Sequence, residues 1–235
     1  MLQTTESMKI RIFLLLTFIT LYQSVNAQQF GIQGGLNISK TSGEDFWYNS
    51  TSSLPSIHFG LVVELSVTEK IFFNTGLLYS VKGFKQNPTV NNNNNYGPGY
   101  GDYTYDIQSM RYSTGYLEIP ANLTYKLPIT SKLNLCFHTG PTFSYGLYFK
   151  CKGTNSSTYD YTNNNLDSKQ KYDFGLDLGS CIEFDNINIG INYNQGLKNL
   201  SYSDEAKNKN RVLQISVAYM FRKKTVKQNK EDVTI

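Results

Sequence analysis

The charged residues that could do chemistry in this sequence lie within stretches of alternating polar and apolar residues. If such a stretch is a strand, each charge points to one face and the bulky residues beside it point to the other. A charged face of this kind could conduct protons or ions, or hold a catalytic group. Its charges could also pair with one another and fill an interior, because buried charges must be paired. We favour this paired network. Its members are Glu64, Lys82, Glu118, Lys126, His138, Asp173, Asp177 and Glu183.

Two histidines are the candidate general bases for an enzyme. Hydrolases and acyltransferases of this kind need a histidine beside a serine or a carboxylate. His58 lies near the outer end of its predicted strand, whereas His138 lies mid-strand and is expected to hydrogen-bond in the interior. The sequence identifies no partner for His58, so we expect no enzyme and keep the hydrolase as the least favoured alternative. The sequence has no metal-ligand spacing, phosphate loop or nucleotide fingerprint, so neither a metal nor a cofactor is expected.

The three cysteines are too few for a disulfide framework. Cys136 and Cys181 point to the same face, each three residues from the same end of neighbouring predicted strands. In an oxidising compartment they are candidates for a cross-strand disulfide, which needs Cα atoms within about 7 Å. The stagger of the strands could instead separate them. Cys151 would be an unpaired thiol in either case.

Eight segments with a period of two must position these residues. In the last segment, Leu213 and Ile215 alternate with Gln214 and Ser216. In the fifth segment, the alternation is expected to place bulky residues on the same face as far as Phe149. The bulky face of all eight holds no Asp, Glu, Lys or Arg. The segments are residues 29–38, 56–67, 71–83, 115–127, 133–149, 171–184, 187–196 and 211–221.

The bulky face is expected to look outward into lipid. The interior of an eight-stranded barrel barely accommodates its own side chains, so these residues cannot all point inward. Exposing them to water would cost about 1.5–3 kcal/mol each, and a domain has only about 5–15 kcal/mol to spare. The predicted fold is therefore all-β, an eight-stranded antiparallel up-and-down transmembrane β-barrel. A soluble two-sheet sandwich is the structural alternative.

Short and long connections alternate between the segments. Outer-membrane barrels have short turns on the periplasmic side and long loops outside, whereas a soluble meander has no reason to alternate. The alternation therefore predicts a barrel in the outer membrane. The short links are residues 68–70, 128–132 and 185–186, and the long ones are residues 39–55, 84–114, 150–170 and 197–210.

Both ends of the chain fall outside the predicted barrel. Lys9 and Arg11 precede an apolar stretch, and Val25-Asn26-Ala27 is typical of a cleavage site. We predict a signal peptide at 1–27, with Met8 as the more natural initiator, a barrel at 28–221 and a polar periplasmic tail at 222–235. The formal net charge of +4 is too small to indicate nucleic-acid binding.

Five stretches resemble the small outer-membrane β-barrel domain family of Gram-negative bacteria often called PorT-like. They are 116–120 (Tyr-Leu-Glu-Ile-Pro), 140–141 (Gly-Pro), 174–179 (Phe-Gly-Leu-Asp-Leu-Gly), 193–197 (Tyr-Asn-Gln-Gly-Leu) and the final strand, 212–221. The resemblance implies an eight-stranded barrel in the outer membrane. A few members are tied to protein secretion or gliding, so an accessory role in secretion is implied as one option. The tail after Phe221 departs from the family, whose aromatic insertion signal usually ends the chain.

Tyrosine, asparagine and glycine concentrate in two of the long links. Tyrosine suits contact surfaces because it combines a flat apolar ring with a hydroxyl, while a solvated loop without such a role is the alternative. We predict a monomeric structural or interaction protein of the cell surface, with outer-membrane lipid and a surface or secretion-machinery protein as partners. A narrow channel for small solutes is the alternative function. The candidate contact residues are Tyr96, Tyr100, Tyr103, Tyr105, Tyr159 and Tyr161.

Overall fold

A computed structural model describes residues 28–42, 51–86, 109–154, 159–166, 171–201 and 208–221. The predicted signal peptide and tail lie outside these ranges. No helix within them has the length and hydropathy that crossing a bilayer requires. The described strands are β1 (Gln28–Ser42), β2 (Thr51–Ser66), β3 (Ile71–Gln86), β4 (Ser109–Pro128), β5 (Leu133–Thr154), β6 (Tyr159–Asn163), β7 (Tyr172–Phe184), β8 (Ile187–Gly196) and β9 (Lys209–Phe221).

Eight of the described strands form a closed antiparallel ring. They pair in chain order, and the pairing of β1 with β9 closes the sheet. The prediction of an eight-stranded up-and-down barrel is confirmed. β6 lies outside the ring and pairs with β5 between Phe149 and Gly153. The expectation of a loop throughout 150–170 was wrong, because five residues are too few for a period-two pattern to stand out.

The apolar residues of the barrel face outward and the charged residues face inward. Leu61 and Leu178 are 62 % and 66 % exposed, whereas Glu64 and Asp177 are buried. In an outer-membrane barrel the outward apolar band contacts lipid. The expected orientation is confirmed. The sandwich alternative was wrong, because the described strands form one sheet and no second layer covers the apolar face.

Two of the short turns are built alike. Residues 67–70 (Val-Thr-Glu-Lys) and 129–132 (Ile-Thr-Ser-Lys) both have threonine in second place. Each threonine hydroxyl accepts a hydrogen bond from the first backbone N–H of the next strand, at 3.0 and 3.1 Å. Side-chain acceptors of this kind stabilise tight turns. In the third short turn, Asp185 has φ 50°, a left-handed conformation that aspartate adopts more readily than most residues.

Two strands continue well past the length that a membrane requires. A tilted transmembrane strand needs about 9–11 residues, but β4 has 20 and β5 has 22. The surplus lies at the end opposite the short turns, which is the outer end in outer-membrane barrels. We call residues 83–86, 109–115, 146–154 and 159–163 the outer extension.

A bulge in β5 reverses its two faces within the outer extension. One extra residue, Leu147, interrupts the pairing of β5 with β4 beside Gly115. Beyond it, Phe149 stacks on the ring of Tyr112 with centroids 6.2 Å apart, on the same face as the buried Cys151. The expectation that Phe149 shares the lipid face was wrong, because an inserted residue shifts the period-two alternation by one place.

Candidate functional site

Three charged residues meet in the half of the lumen nearest the short turns. Lys126 Nζ lies 2.6 Å from Glu64 Oε1 and 2.7 Å from Glu183 Oε2. The ammonium also lies 4.2 Å from the centroid of the Phe72 ring. Asn134 donates to the other oxygen of Glu183 at 2.7 Å. Lys126, Glu64 and Glu183, the lower ion cluster, therefore tie together β4, β2 and β7.

A second ion pair lies in the outer half of the lumen. Lys82 of β3 pairs with Glu118 of β4, and both side chains are buried. The ammonium also donates to Ser144 Oγ at 3.4 Å and lies 5.5 Å from the centroid of the Tyr116 ring. Ser144 in turn donates to Glu118 at 3.1 Å. Lys82 and Glu118 form the upper ion pair.

The carboxylate of Asp177 lies between these two groups and is held by neutral donors. Three asparagine amides and one threonine hydroxyl donate to it. No ion pair between described residues involves Asp177. The donors are Asn122 at 3.3 Å, Asn192 at 3.1 Å, Asn194 at 2.7 Å and the hydroxyl of Thr142.

The lumen carries an excess of negative charge. Asp173 accepts a hydrogen bond from Asn210 at 2.8 Å, and its other oxygen has no partner. With Asp177 and the three carboxylates of the ion groups, five carboxylates are buried in the described residues against two lysines. The described lumen therefore holds more buried carboxylates than buried lysines.

The structure places every residue of the predicted polar network on the lumen side. His138 is one of them, and its Nε2 lies 3.1 Å from Asn192 Oδ1. The division into a lower cluster, Asp177 and an upper pair depends on the stagger of the strands, which the sequence does not reveal. The eight residues are Glu64, Lys82, Glu118, Lys126, His138, Asp173, Asp177 and Glu183.

His58 is buried in the lumen rather than exposed at the rim. Its Nδ1 lies 2.8 Å from Asn37 Oδ1 and its Nε2 lies 2.9 Å from Ser216 Oγ. The Asn37 amide nitrogen donates to Val81 O, so its oxygen accepts from Nδ1 and Nε2 is left to accept from the serine. Gly35 lies between His58 and Ser216 in the same row of the sheet. A Cβ there would be 2.7 Å from the imidazole Cε1, so glycine lets the ring cross β1.

The order serine–histidine–asparagine resembles that of nucleophilic hydrolases. Asn37 and Ser216 were not predicted as partners of His58, because they come from two other strands, β1 and β9. The sequence did indicate that both side chains point into the lumen, since each occupies a polar-face position of its strand. In this barrel the three side chains also tie three adjacent strands together.

A cavity and a vestibule lie within the lumen. The central cavity has a volume of about 130 Å³ and lies between the lower ion cluster and Asp177. The vestibule, of about 310 Å³, opens at the end of the barrel that carries the short turns. The polar residues that line the cavity include Glu64, Asn122, His138, Asp177 and Gln214, and those that line the vestibule include Glu69, Lys70, Lys126 and Glu183.

Three buried amide oxygens, on residues that line the central cavity, have no hydrogen-bond partner among the described residues. They belong to Asn74, Asn122 and Asn188. Asn74 Nδ2 donates to Thr124 Oγ1 at 3.0 Å, and Asn122 Nδ2 donates to Asp177. These bonds orient the two amides and leave the oxygens as the unpaired atoms. Each unpaired buried acceptor costs about 1–3 kcal/mol.

Cys136 and Cys181 are direct cross-strand partners on β5 and β7. Both are free thiols, as is Cys151. Opposed residues of an antiparallel pair have Cα atoms about 4.5–5.5 Å apart, within the range that a disulfide spans. Strand stagger therefore does not separate the two thiols, and the bridge between them stays a prediction.

The outer extension carries exposed polar and aromatic groups. Asp160 on β6 lies 3.1 Å from Lys152 Nζ and 3.5 Å from Lys150 Nζ. The hydrogen bond from Lys152, with the charges of both lysines, holds the pKa of Asp160 below its ordinary value. Of the predicted contact residues, Tyr161 is exposed on β6 and Tyr159 begins that strand. The others, Tyr96, Tyr100, Tyr103 and Tyr105, lie outside the described residues.

A family model for the outer membrane protein β-barrel domain matches residues 22–202. The chain belongs to this family. The prediction of an outer-membrane location is thereby confirmed, and in such barrels the short turns face the periplasm. No curated protein sequence matches the chain.

Several solved outer-membrane barrels are similar to this chain. One is Ail, the attachment invasion locus protein of Yersinia pestis, in complex with the heparin analogue sucrose octasulfate. It has 12 % identity over 83 % of this chain and 99 % of that chain, with a TM-score of 0.38. Neisserial surface protein A has 10 % identity over 81 % and 96 %, with a TM-score of 0.40. CymD, a monoaromatic hydrocarbon channel, has 11 % identity over 83 % and 89 %, with a TM-score of 0.21. Similarities this low say nothing about ligand or partner.

Proposed function

We propose that this protein is a monomeric interaction barrel of the cell surface, with a filled lumen and an outer extension that contacts a partner protein. The observation that carries this proposal is the length of β4 and β5, which is about twice what a bilayer requires. A barrel that served only to anchor itself in lipid would not need strands of 20 and 22 residues.

Aromatic residues mark where the membrane ends. Phe143, Tyr172 and Phe174 cluster on the lipid face near the outer end of their strands, with ring centroids 5.2–6.1 Å apart. Such belts lie at the level of the lipid headgroups. From Tyr145, at this level, β5 continues to Thr154, which carries it roughly 20 Å further at the usual rise and tilt. The outer extension is therefore available to molecules outside the cell.

The side chains that fill the lumen favour a contact role for the protein over a transport role. The lower ion cluster crosses it between the vestibule and the central cavity, and the upper ion pair fills it further out. Eight-stranded barrels are also too narrow for an open aqueous channel. We expect no single-channel current from the intact protein in planar bilayers. A current from the wild type would support the narrow-channel alternative, and a current only in Lys126→Ala or Lys82→Ala would reveal a latent path.

An accessory role in protein secretion is one form of this function. It rests on the resemblance of residues 116–120 and 174–179 to PorT-like barrels. A partner in such an apparatus could bind from outside or from the periplasm. The two cases place the contact at opposite ends of the barrel.

A photo-crosslinking amino acid at three positions separates these cases. Tyr161 reports on the outer extension, Ile129 on a periplasmic turn and Leu178 on the lipid face. We expect a protein adduct at position 161 on intact cells, and adducts with lipid only at position 178. Adducts at position 129 alone would contradict a surface contact and support a periplasmic secretion partner. No protein adduct at either 161 or 129 would contradict the interaction role altogether.

The hydrolase alternative depends on Ser216 and His58. Both ring nitrogens of His58 are engaged inside the barrel, and an ester would have to enter the lumen to meet the serine. We therefore expect a small fluorophosphonate to leave the folded protein unlabelled. Labelling that disappears in Ser216→Ala would show a reactive serine and overturn this expectation.

A further inference from the structure

We propose that three cations on the lipid side of β1 and β9 bind the phosphate of a lipid headgroup in the outer leaflet. They are Lys40, Lys209 and Arg211, the rim cations. The site combines a fixed group of positive charges, a lack of nearby carboxylates and a place at the outer edge of the lipid-facing band. It is separate from the outer extension and does not depend on a partner protein.

The rim cations lie on one face of two paired strands. Lys40 and Arg211 are direct cross-strand partners and both are exposed, while Lys209 pairs with Ser42 two residues further out. Directly opposed residues have Cα atoms about 4.5–5.5 Å apart, and like charges in this arrangement destabilise a sheet. An anion held between Lys40 and Arg211 would remove this repulsion.

The described residues supply no counter-charge to the rim cations. No ion pair between described residues involves any of the three. Outside the lumen, Asp160 is the one carboxylate among the described residues at the outer end of the barrel, and it already pairs with Lys150 and Lys152. An external anion is therefore needed. A phosphate fits, because the planar fork of arginine donors matches its oxygens and lysine adds a compact charge.

The depth of the site favours a lipid over a soluble anion. Arg211 lies two residues, or about 6.6 Å, beyond Leu213 on β9. Leu213 is paired on one side with Ile38 and on the other with Tyr193, which are both exposed on the outer face. The Tyr193 hydroxyl donates to Gln195 Oε1 at 3.1 Å, and Gln195 is the cross-strand partner of Arg211. Because such tyrosines lie at headgroup depth, the rim cations lie where lipid phosphates lie.

A second pair of opposed cations lies too far out to meet a phosphate at the bilayer surface. Lys85 of β3 and Arg111 of β4 are direct cross-strand partners in the outer extension. Tyr79 packs on Phe59 on the lipid face, with ring centroids 5.3 Å apart. Lys85 follows Tyr79 by six residues on the same face, which places it about 15 Å further out at the usual rise and tilt. This outer pair is therefore a matched control for Lys40 and Arg211.

The test uses the full-length protein refolded into micelles of a neutral detergent, with dioleoyl phosphatidate as the probe. Native mass spectrometry counts the lipid molecules that each protein retains during a titration. Dioleoyl phosphatidylcholine has the same acyl chains but a choline that neutralises its phosphate, and inorganic phosphate has no acyl chains. We expect saturable binding of phosphatidate, and binding of phosphatidylcholine and inorganic phosphate at least about tenfold weaker.

Two double variants locate the site. Lys40→Gln with Arg211→Gln should weaken phosphatidate binding by about tenfold or more. Lys85→Gln with Arg111→Gln removes the same charges from the outer pair and should leave binding unchanged. Both proteins should fold, because surface substitutions of this kind have small effects on stability. The proposal is overturned if phosphatidate binds no better than phosphatidylcholine or inorganic phosphate, if the rim variant retains wild-type affinity, or if the outer variant loses as much affinity as the rim variant.

Discussion

Lys126 of β4 and Glu64 of β2 form a 2.6 Å ion pair that passes over β3, the strand between them. The same ammonium lies 2.7 Å from Glu183 of β7, on the far side of β5. Neighbouring strands of the ring are already joined by backbone hydrogen bonds. The lower ion cluster therefore adds connections between strands that the backbone does not connect.

Replacing Lys126 by methionine should strongly destabilise the barrel. The change leaves Glu64 and Glu183 buried without a cation, and breaking a buried pair in this way typically costs about 3–5 kcal/mol. The free energy of unfolding in urea, measured for protein refolded into lipid vesicles, reports the loss. Lys70→Met is the matched control, because Lys70 is exposed in a periplasmic turn, and it should change stability by less than about 0.5 kcal/mol.

A triple variant separates lost charge pairing from lost packing. Adding Glu64→Gln and Glu183→Gln to Lys126→Met removes the two carboxylates that would be left without a cation, so most of the free energy of unfolding should return. If Lys126→Met alone is as stable as the Lys70 control, the lower ion cluster does not stabilise the barrel.

Mild oxidation should join Cys136 to Cys181 within one chain. The two residues face each other across β5 and β7, while Cys151 lies in the outer extension on another part of β5. Titration of the oxidised, unfolded and unreduced protein should therefore find one free thiol, and Cys181→Ser should leave two. Three free thiols after oxidation, or dimers linked through Cys136, would contradict the register of these strands.

The contact between β6 and β5 should weaken in acid. The hydrogen bond and charge of Lys152 lower the pKa of Asp160 from its ordinary value of 3.8. A lowered folded-state pKa stabilises the contact above the ordinary value, and this contribution is lost as the pH falls through the lowered pKa. The backbone amide resonances of residues 160–163, followed by NMR on lowering the pH, should titrate below the ordinary value.

Lys152→Met should move this titration upward, towards the ordinary value, because it removes the largest cause of the lowered pKa. Lys198→Met is the control, since Lys198 instead donates to the Tyr172 carbonyl at 2.8 Å. An unchanged titration in Lys152→Met would show that Lys152 and Asp160 do not interact in solution.

The direction in which a strand residue points was predictable from the sequence, because it depends on the residue's own neighbours. Asp177 and Leu178 are adjacent, so a strand must send them to opposite faces. The same local information identified every member of the lumen network. The similar turns at 67–70 and 129–132 are also visible in the sequence, where threonine stands second in each.

Contacts across the lumen were not predictable, because they depend on strand stagger. Lys126 is 62 residues from Glu64, and His58 is 158 residues from Ser216. The inward orientation of Phe149 was not predicted for a related reason. One bulged residue reverses the face to which every later residue of the strand points. The unpaired oxygens of Asn74 and Asn122 likewise emerge only when the strands surround a common space.

The most direct test of the account is methyl NMR of the unmodified protein in lipid nanodiscs. Nuclear Overhauser contacts between side-chain methyls and lipid acyl chains report which residues face the bilayer. The methyls of Ile189 and Leu178, which are exposed on the outer face, should show strong contacts with the acyl chains. The methyls of Val212 and Leu54, which are buried inside, should show none. Acyl-chain contacts at Val212 and Leu54 but not at Ile189 and Leu178 would contradict the account, because the apolar face would then point into the barrel.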